Sequence, residues 1–318
     1  MAKEPRTFII INPNAGGGTA RRHWPEVEAA LQKSLGTFDS EETLGQGHAR
    51  ILAMDAAKEG YSFIIACGGD GTIHEVVNGI HDAKALSKTT LGLLSVGTGR
   101  DFIKTLGIPK DLKSQMEILS GQKNRTIDLG LVTYTGEKNK KERRVFVNIA
   151  NAGIGHEVDR RVNQSSKPLG RKPAYFIAAL QSYLAWKPKK IKVVPVGSDH
   201  HVAQWRSLNK KDKKCYSVIV ANGRFFGGGM PIAPQADPSD GLLDLVVVTD
   251  VNPLIGFLGL GLVYSKYFGL LPNVFRDRVR KVTFQSEEKV SLDIDGEDIG
   301  SLPATFEILP EALRVKCP

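Results

Sequence analysis

The chain has 318 residues, 41% of them hydrophobic and 24% charged, with a formal net charge of +9. That balance excludes a disordered or fibrous chain and supplies enough apolar material for two cores rather than one. The positive excess points to an anionic partner, whether nucleotide, nucleic acid or acidic membrane surface, although solvated surface lysines would produce the same excess with no partner at all.

Cys67, Cys215 and Cys317 lie far apart without CxxC spacing, which argues against a disulfide framework or a cysteine zinc site and for a reducing compartment. The opening residues 1–6 are short and charged and read as no signal peptide. Thr7 to Asn12 is a β-branched apolar run, hence a strand. It ends in Asn12-Pro13-Asn14-Ala15-Gly16-Gly17-Gly18-Thr19, and the amphipathic pattern that follows predicts a helix from about Ala20 to Lys33. The loop lacks both the Walker spacing and GxGxxG, so alone it is either a plain turn or a phosphate loop. Thr43 to Lys58 supplies a strand end and an alanine-rich helix.

Phe63 to Cys67 reads as a buried strand that breaks into Gly68-Gly69-Asp70-Gly71-Thr72. Thr72 and Glu75 have capping-box spacing, which predicts a helix beginning at Ile73 with Thr72 as its N-cap. A helix start beside glycines attracts phosphate, because free N–H groups and the positive end of the dipole point the same way. Asp70 is the exception, since a carboxylate repels phosphate. Its better uses are to hold magnesium through water or to fix the turn by hydrogen bonds. Thr90 to Val96 is a third strand, with Gly97-Thr98-Gly99-Arg100-Asp101-Phe102 as its exit. Strands alternating with helices imply a parallel sheet whose ligands sit beyond the carboxyl ends of the strands, so the three glycine turns can converge on one ligand.

After Asp128 short β runs dominate. Leu129–Thr135 and Val145–Ala150 are joined by a charged link that reads as a hairpin, and Ile191–Val196, Tyr216–Ala221, Leu242–Val248, Lys281–Phe284 and Val290–Ile294 follow. Helices are expected at Ala174–Leu184 and Leu254–Phe268. The apolar stretch Leu254–Leu271 is interrupted by Lys266 and rich in glycine, which suits a buried or interfacial helix better than a membrane span. The fold class is therefore an N-terminal α/β nucleotide-binding domain with a mostly parallel sheet over 1–128, joined to an antiparallel β domain, sandwich or open barrel, over 129–303. Residues 304–318, beginning with the strand-like Ala304–Leu309, are candidates for a return to the first domain. The seven histidines show no metal-ligand spacing, and no nucleic-acid-binding motif is apparent.

Read in order, Asn12-Pro13-x-Ala15-Gly16, Gly68-Gly69-Asp70-Gly71-Thr72 and Gly97-Thr98-Gly99-x-Asp101-Phe102 resemble the diacylglycerol kinase catalytic family, which includes bacterial lipid kinases and has sphingosine and ceramide kinases as relatives. The glycine-aspartate turn alone is shared with NAD kinases and phosphofructokinases. The later motifs decide: Phe146-x-Asn148 with Asn151-Ala152-Gly153-Ile154-Gly155, Ala221 to Gly229, Asp240-Gly241-Leu242-Leu243-Asp244, and Asp295-Gly296-Glu297.

The resemblance implies transfer of the ATP γ-phosphate to a lipid hydroxyl, diacylglycerol first, by an α/β domain and a β-sandwich. It assigns ATP contacts to Asn12, Pro13, Asn14, Ala15, Gly16, Thr43, Gly68, Gly69, Asp70, Gly71, Thr72, Ile73 and Thr98. Glu297 becomes the general base, and Asp70 and Asp101 the organisers of catalytic Mg2+. A second magnesium is implied at Asp240, with Asp237 and Leu242 supplying further oxygens. A cytoplasmic protein that docks peripherally on a membrane follows; Lys187, Lys189, Lys190 and Lys192, the run from Lys210 to Lys214, and Arg276, Arg278, Arg280 and Lys281 are either its contacts to anionic headgroups or solvated surface charge, and a homodimer is compatible with the family. Two residues depart from the family pattern: Arg100 and His74 stand where asparagine is common. Arg100 either pairs with phosphate or points to solvent. The alternatives are a kinase of another lipid, such as a sphingoid base, ceramide or phosphatidylglycerol, a soluble-substrate kinase, such as one acting on NAD, and a non-catalytic nucleotide-binding regulator.

Overall fold

The computed structural model describes residues 6–96, 100–136, 140–164, 171–196, 205, 209, 213–250, 256, 259, 261–265 and 267–318. Two compact units are formed, one by Met1–Leu129 with Pro310–Pro318 and the other by Gly130–Leu309.

In the first unit β1 (Thr7–Ile11), β2 (Asp39–Glu42), β3 (Phe63–Gly68) and β4 (Thr90–Ser95) are parallel, in the order β4-β3-β1-β2. The helices are α1 (Ala15–Leu35), α2 (His48–Lys58), α3 (Asp70–Asp82), α4 (Asp101–Thr105) and α5 (Leu112–Ser120). Near the chain's end, Arg314 and Val315 pair in parallel with Thr90 and Leu91 and extend this sheet. Every residue of β3 is buried, as a strand covered on both faces requires. Ile9, Ile11, Ile65 and Cys67 turn one way, onto Val27 and Leu31 of α1 and Met116 and Leu119 of α5. The alternate residues Ile10, Ile64 and Ala66 turn the other way, toward the side of α2 and α3. Those two helices meet at Gly79, where a Cβ would overlap the Arg50 carbonyl oxygen.

The second unit is antiparallel. Its strands are the later part of β5 (Asn124–Thr135), then β6 (Lys141–Phe146), β7 (Ile149–Gly153), β8 (Lys189–Lys190), β9 (Lys192–Val196), β10 (Lys214–Ala221), β11 (Leu243–Thr249), β12 (Val274–Val279), β13 (Lys281–Gln285), β14 (Ser291–Ile294) and the earlier part of β15 (Glu297–Lys316). One path runs β12-β11-β10-β7-β14-β15, while β13 joins β15 to β9 and β6 forms a hairpin with β5. Period two sorts the side chains: Val218, Val220, Leu245 and Val247 enter the sandwich core with Phe146, Phe284 and Phe306, whereas Ile219, Ala221 and Val246 join a second cluster with Ile232 and Phe268. Helices α6 (Ile154–Gln164) and α7 (Arg171–Ala185) contribute Val162, Tyr175 and Ala178 to a third cluster.

Several elements differ from the sequence expectation. Helix α3 starts at Asp70 with Gly69 as N-cap, not at Ile73, and Thr72 makes no capping bond. Glu75 is occupied elsewhere, accepting from the N–H groups of Gly47 and Ala49 at 2.9 and 3.0 Å, so it caps α2 instead of its own helix. The charged hairpin link contains β6, and β12 appears in the charged sequence VFRDRV because Asp277 is buried against the Trp205 indole N–H at 2.6 Å. Ala304 to Glu307 pairs with β13 in the second unit, and the stretch that belongs to the first unit is Pro310–Pro318. Of the apolar stretch Leu254–Leu271, residues 254, 255, 257, 258, 260 and 266 lie outside the described residues; Gly256, Gly259, Gly261 and Leu262 are helical and Phe268–Leu270 is a 3-10 turn. Among the described residues no helix is long and apolar enough to cross a membrane. All three cysteines are buried free thiols, and burial pushes Cys67 up to about 12.

The Gly79 contact yields a stability test. Gly79→Ala forces α2 and α3 apart and costs about 1–3 kcal/mol of overpacking strain, which thermal unfolding reads as a Tm several degrees lower. An unchanged Tm contradicts the close approach.

Candidate active site

The turns expected after β1 and β3 leave the carboxyl ends of those strands, while residues 97–99 of the third lie outside the described residues. After β1, the Asn12 side chain organises its own loop: its Oδ1 accepts from Asn14 N–H at 3.0 Å and its Nδ2 donates to Thr72 Oγ1 at 3.0 Å. Asn12 N–H also donates to the Cys67 carbonyl at 2.9 Å. Gly16, Gly17 and Gly18 all have positive φ, so the loop bends through the left-handed region before α1 continues from Thr19. Pro13 and Ala15 are buried and Asn14 is exposed. Thr43, buried after β2, donates its N–H to the Ile11 carbonyl at 2.7 Å.

After β3, Gly68 is the residue that the geometry cannot replace, because a Cβ there would overlap Thr72 Oγ1. Gly71 faces open space, and Gly71 and Thr72 lie in the first turn of α3, where N–H groups have no intrahelical acceptor. Ile73 is fully buried and its N–H already bonds the Gly69 carbonyl at 3.1 Å. Asp70 accepts from the N–H groups of Asp101 and Phe102, both at 3.2 Å. A carboxylate in an anion-friendly turn is thereby explained: it clamps the start of α4 onto the start of α3. Asp101, buried, stands in the same cluster, whereas Thr98 lies outside the described residues.

Arg100 neither points to solvent nor aims at the turn. Its guanidinium donates to the Pro109 carbonyl at 2.8 Å and the Ile108 carbonyl at 3.4 Å, and burial lowers its pKa, with Asp70 opposing that shift. His74 is buried and lies 3.2 Å from the Asn78 amide, which makes it a packing histidine.

In the second unit Asp295-Gly296 is a hairpin turn between the paired residues Ile294 and Glu297, and both turn residues have positive φ, as a type I′ turn demands. This turn leaves Glu297 as the first residue of β15. Sequence reasoning gave Asp295 no role. The structure shows its carboxylate accepting three backbone N–H groups, from Val147 (2.9 Å), Asn148 (3.0 Å) and Ile149 (2.9 Å). Asn148 in turn donates to the Phe225 carbonyl at 2.8 Å, and Asn222 to the Val147 carbonyl at 2.9 Å. The motif residues of this half are thus joined in one hydrogen-bond network around the turn that carries Glu297.

Beside β10 and β11 lies an apolar cavity of about 140 Å³, whose lining includes Ile154, Val158, Tyr175, Tyr183, Ile219 and Phe268.

The residues implied to hold a second cation are close in sequence but already engaged. Asp240 accepts from Leu242 N–H at 3.0 Å and forms an ion pair with Arg278, while Asp237 accepts from Ser239 N–H at 3.1 Å and, through its carbonyl, from Asp240 N–H at 3.3 Å. Arg278 stands directly opposite Asp244 in the β11–β12 register. Burial pushes the Asp244 carboxyl up to about 6, with Arg278 and Arg276 opposing and Asp240 reinforcing the shift. A guanidinium therefore supplies the positive charge at this turn. A divalent ion held by Asp240 would have to displace Arg278. Among the described residues no group of three or more His, Cys, Asp or Glu side chains is placed to hold a metal.

Together a phosphate-type turn on a parallel sheet and an antiparallel sandwich define a two-domain protein of the kinase type. Residues 6–132 match the diacylglycerol kinase catalytic domain and residues 148–317 match the YegS C-terminal NAD kinase beta sandwich-like domain, so the chain belongs to the diacylglycerol kinase family in its two-domain, YegS-like form. A Pseudomonas aeruginosa protein named "Probable lipid kinase YegS-like" is 30% identical over 322 residues, covering 100% of this chain and 96% of that one. A Bacillus subtilis diacylglycerol kinase is 28% identical over 316 residues, covering 98% and 96%. The crystal structure of a diacylglycerol kinase from Bacillus anthracis superposes with a TM-score of 0.71 at 20% identity, covering 100% and 98%, which shows the shared fold.

The Asp295 clamp can be tested apart from catalysis. Asp295→Ala removes a charge-assisted acceptor from three N–H groups and costs about 2–4 kcal/mol, which urea unfolding detects as a lower midpoint. A midpoint equal to that of the parent protein contradicts the clamp.

Proposed function

We propose that this protein is an ATP-dependent lipid kinase that transfers the γ-phosphate to a lipid hydroxyl, with diacylglycerol as the first acceptor to test and phosphatidate as its product. The observation that carries the lipid half of this reading is the apolar cavity in the second unit, since a nicotinamide nucleotide offers little to a wall of Ile, Val, Tyr and Phe. The family membership and the glycine turns support the nucleotide half.

In this reading Asn12 to Gly16, Thr43, the Gly68–Ile73 turn and Thr98 receive ATP. Gly71 and Thr72 offer first-turn N–H groups to phosphate oxygens, and Ile73 contributes packing rather than a contact of its own. Asp70 and Asp101 are hard oxygen donors at the end of a parallel sheet and fit magnesium, which when bound supplies charge neutralisation to the phosphoryl oxygens. Asp70 also holds the turn in shape by accepting the Asp101 and Phe102 N–H groups. A lipid hydroxyl has a pKa far above 7, so Glu297 orients it and takes its proton late in the transfer. Most of the rate then comes from positioning and electrostatics.

Reaching a lipid requires a membrane surface. The residues suited to it are the exposed Phe176, Ile177 and Leu184 of α7 and the exposed Leu270, next in sequence to the cavity-lining Tyr175, Tyr183 and Leu271. Of the basic residues expected to help, Lys189 pairs with Glu288, Lys281 with Glu307 and Arg278 with Asp240, and Arg276 donates to the Ile232 carbonyl. Residues 210–212 lie outside the described residues. Apolar insertion therefore carries more of the docking than the charge clusters suggested.

The decisive assay is transfer of labelled γ-phosphate from ATP with magnesium to a panel of lipids in mixed micelles, with NAD and no-lipid controls. One lipid class is labelled, and Glu297→Gln loses at least about 100-fold in kcat with ATP affinity nearly kept. Label on NAD alone, or full turnover by a folded Glu297→Gln protein, overturns the assignment.

A further inference from the structure

The glycine turns use one edge of the first unit's sheet. At the opposite edge, where β1, β3 and β4 begin with Thr7, Phe63 and Thr90, the surface opens into a cleft of about 1080 Å³ lined by all three residues. Strands of five and six residues rise about 3.3 Å per residue, which sets the two edges roughly 17–20 Å apart. A phosphate held at the turns does not reach the cleft.

The charges lining it are lopsided: Arg6, Lys88, Arg314 and Lys316 face a single acid, Asp39. That acid is already engaged by the Tyr61 hydroxyl at 2.6 Å. Among the described residues none of the four cations is ion-paired to a carboxylate. Arg6 donates to the Glu59 carbonyl at 3.1 Å and lies 4.0 Å from the Tyr61 ring centroid; Arg314 donates to the Ser87 carbonyl at 3.4 Å; Lys316 donates to the Gly121 carbonyl. Burial lowers the Lys316 pKa, and no neighbouring carboxylate offsets the shift. The half-buried Lys316 ammonium is met by the Gly121 carbonyl and, at 5.6 Å from its centroid, by the face of the Phe63 ring, with no carboxylate beside it, and the Asn124 amide stands in the same lining.

We propose that this cleft is a second anion site, separate from the glycine turns, and that it takes a phosphomonoester group. Such a group carries close to two negative charges and three acceptor oxygens, which match two or more cations plus neutral donors. Its source is either a soluble organic phosphate or the headgroup of a phosphomonoester lipid. Binding ties the returning segment that carries Arg314 and Lys316 to Arg6 ahead of β1 and Lys88 ahead of β4, so an occupied cleft stabilises the first unit by linkage.

The test is isothermal titration with glycerol phosphate at fixed ionic strength, beside vesicles of phosphatidylcholine with and without phosphatidate. The proteins compared are the parent chain, Arg314→Gln/Lys316→Gln, and the single variant Lys88→Gln, which keeps the returning strand intact if the double variant unfolds. The parent binds at least one phosphomonoester probe, the double variant binds it at least tenfold more weakly, and Lys88→Gln weakens it severalfold while ATP affinity is unchanged. Binding of glycerol phosphate identifies a soluble source, and binding of phosphatidate vesicles alone identifies a headgroup. Failure of the parent to bind either probe, or equal binding by parent and variants, overturns the proposal. The lipid kinase reading is decided separately, by the transfer assay.

Discussion

Glycine turns are soft, and a site built from them has to be stiffened by something other than side-chain packing. In the first unit the Asp70 carboxylate does this. By accepting the Asp101 and Phe102 N–H groups it joins the turn after β3 to the helix that follows β4. Asn12 adds the link to the turn after β1 through Thr72. Without these bonds the loops after β1 and β3, built of glycine and small polar residues, have no reason to hold one shape. The same carboxylate resolves the difficulty of an acid in an anion-binding turn, because part of its charge is spent on backbone donors.

The second unit repeats the device. Asp295 gathers three consecutive N–H groups of the Val147–Ile149 segment, and the tight turn it belongs to sets the position of Glu297. Glu75 does likewise for the start of α2. In each case a carboxylate serves as a backbone clamp, which fixes loop geometry through directional bonds to consecutive or neighbouring N–H groups. Arg100 is the cationic counterpart: its guanidinium fork holds two carbonyls that follow α4.

The strands and helices of both units were legible because their burial is periodic. Phe63–Gly68 and Thr90–Ser95 are uncharged apolar runs, and β10 and β11 are apolar on both faces. What escaped was long-range. The spacing of Thr72 and Glu75 is a sound local signal, yet Glu75 finds better donors 26 and 28 residues away. Asp295 lies nearly 150 positions from the amides it holds, and β12 carries three charged residues, of which Asp277 is buried against Trp205 and Arg278 pairs with Asp240. The family resemblance reached Asp70 and Glu297 by motif, but it could not show that Arg278 competes for the Asp240 turn or that Arg100 is turned away from phosphate. Sequence signals are local; these contacts are made only when the sheet is assembled.

The account stands or falls on whether the clamped turns receive nucleotide phosphate. Amide hydrogen exchange on the full-length protein, with and without ATP and magnesium, reads this directly. Protection is expected in the segments containing Asn12–Gly18 and Gly68–Thr72, with the sheet interior unchanged. ATP binding that leaves both turns exchanging as before, with protection confined to other segments, would contradict it.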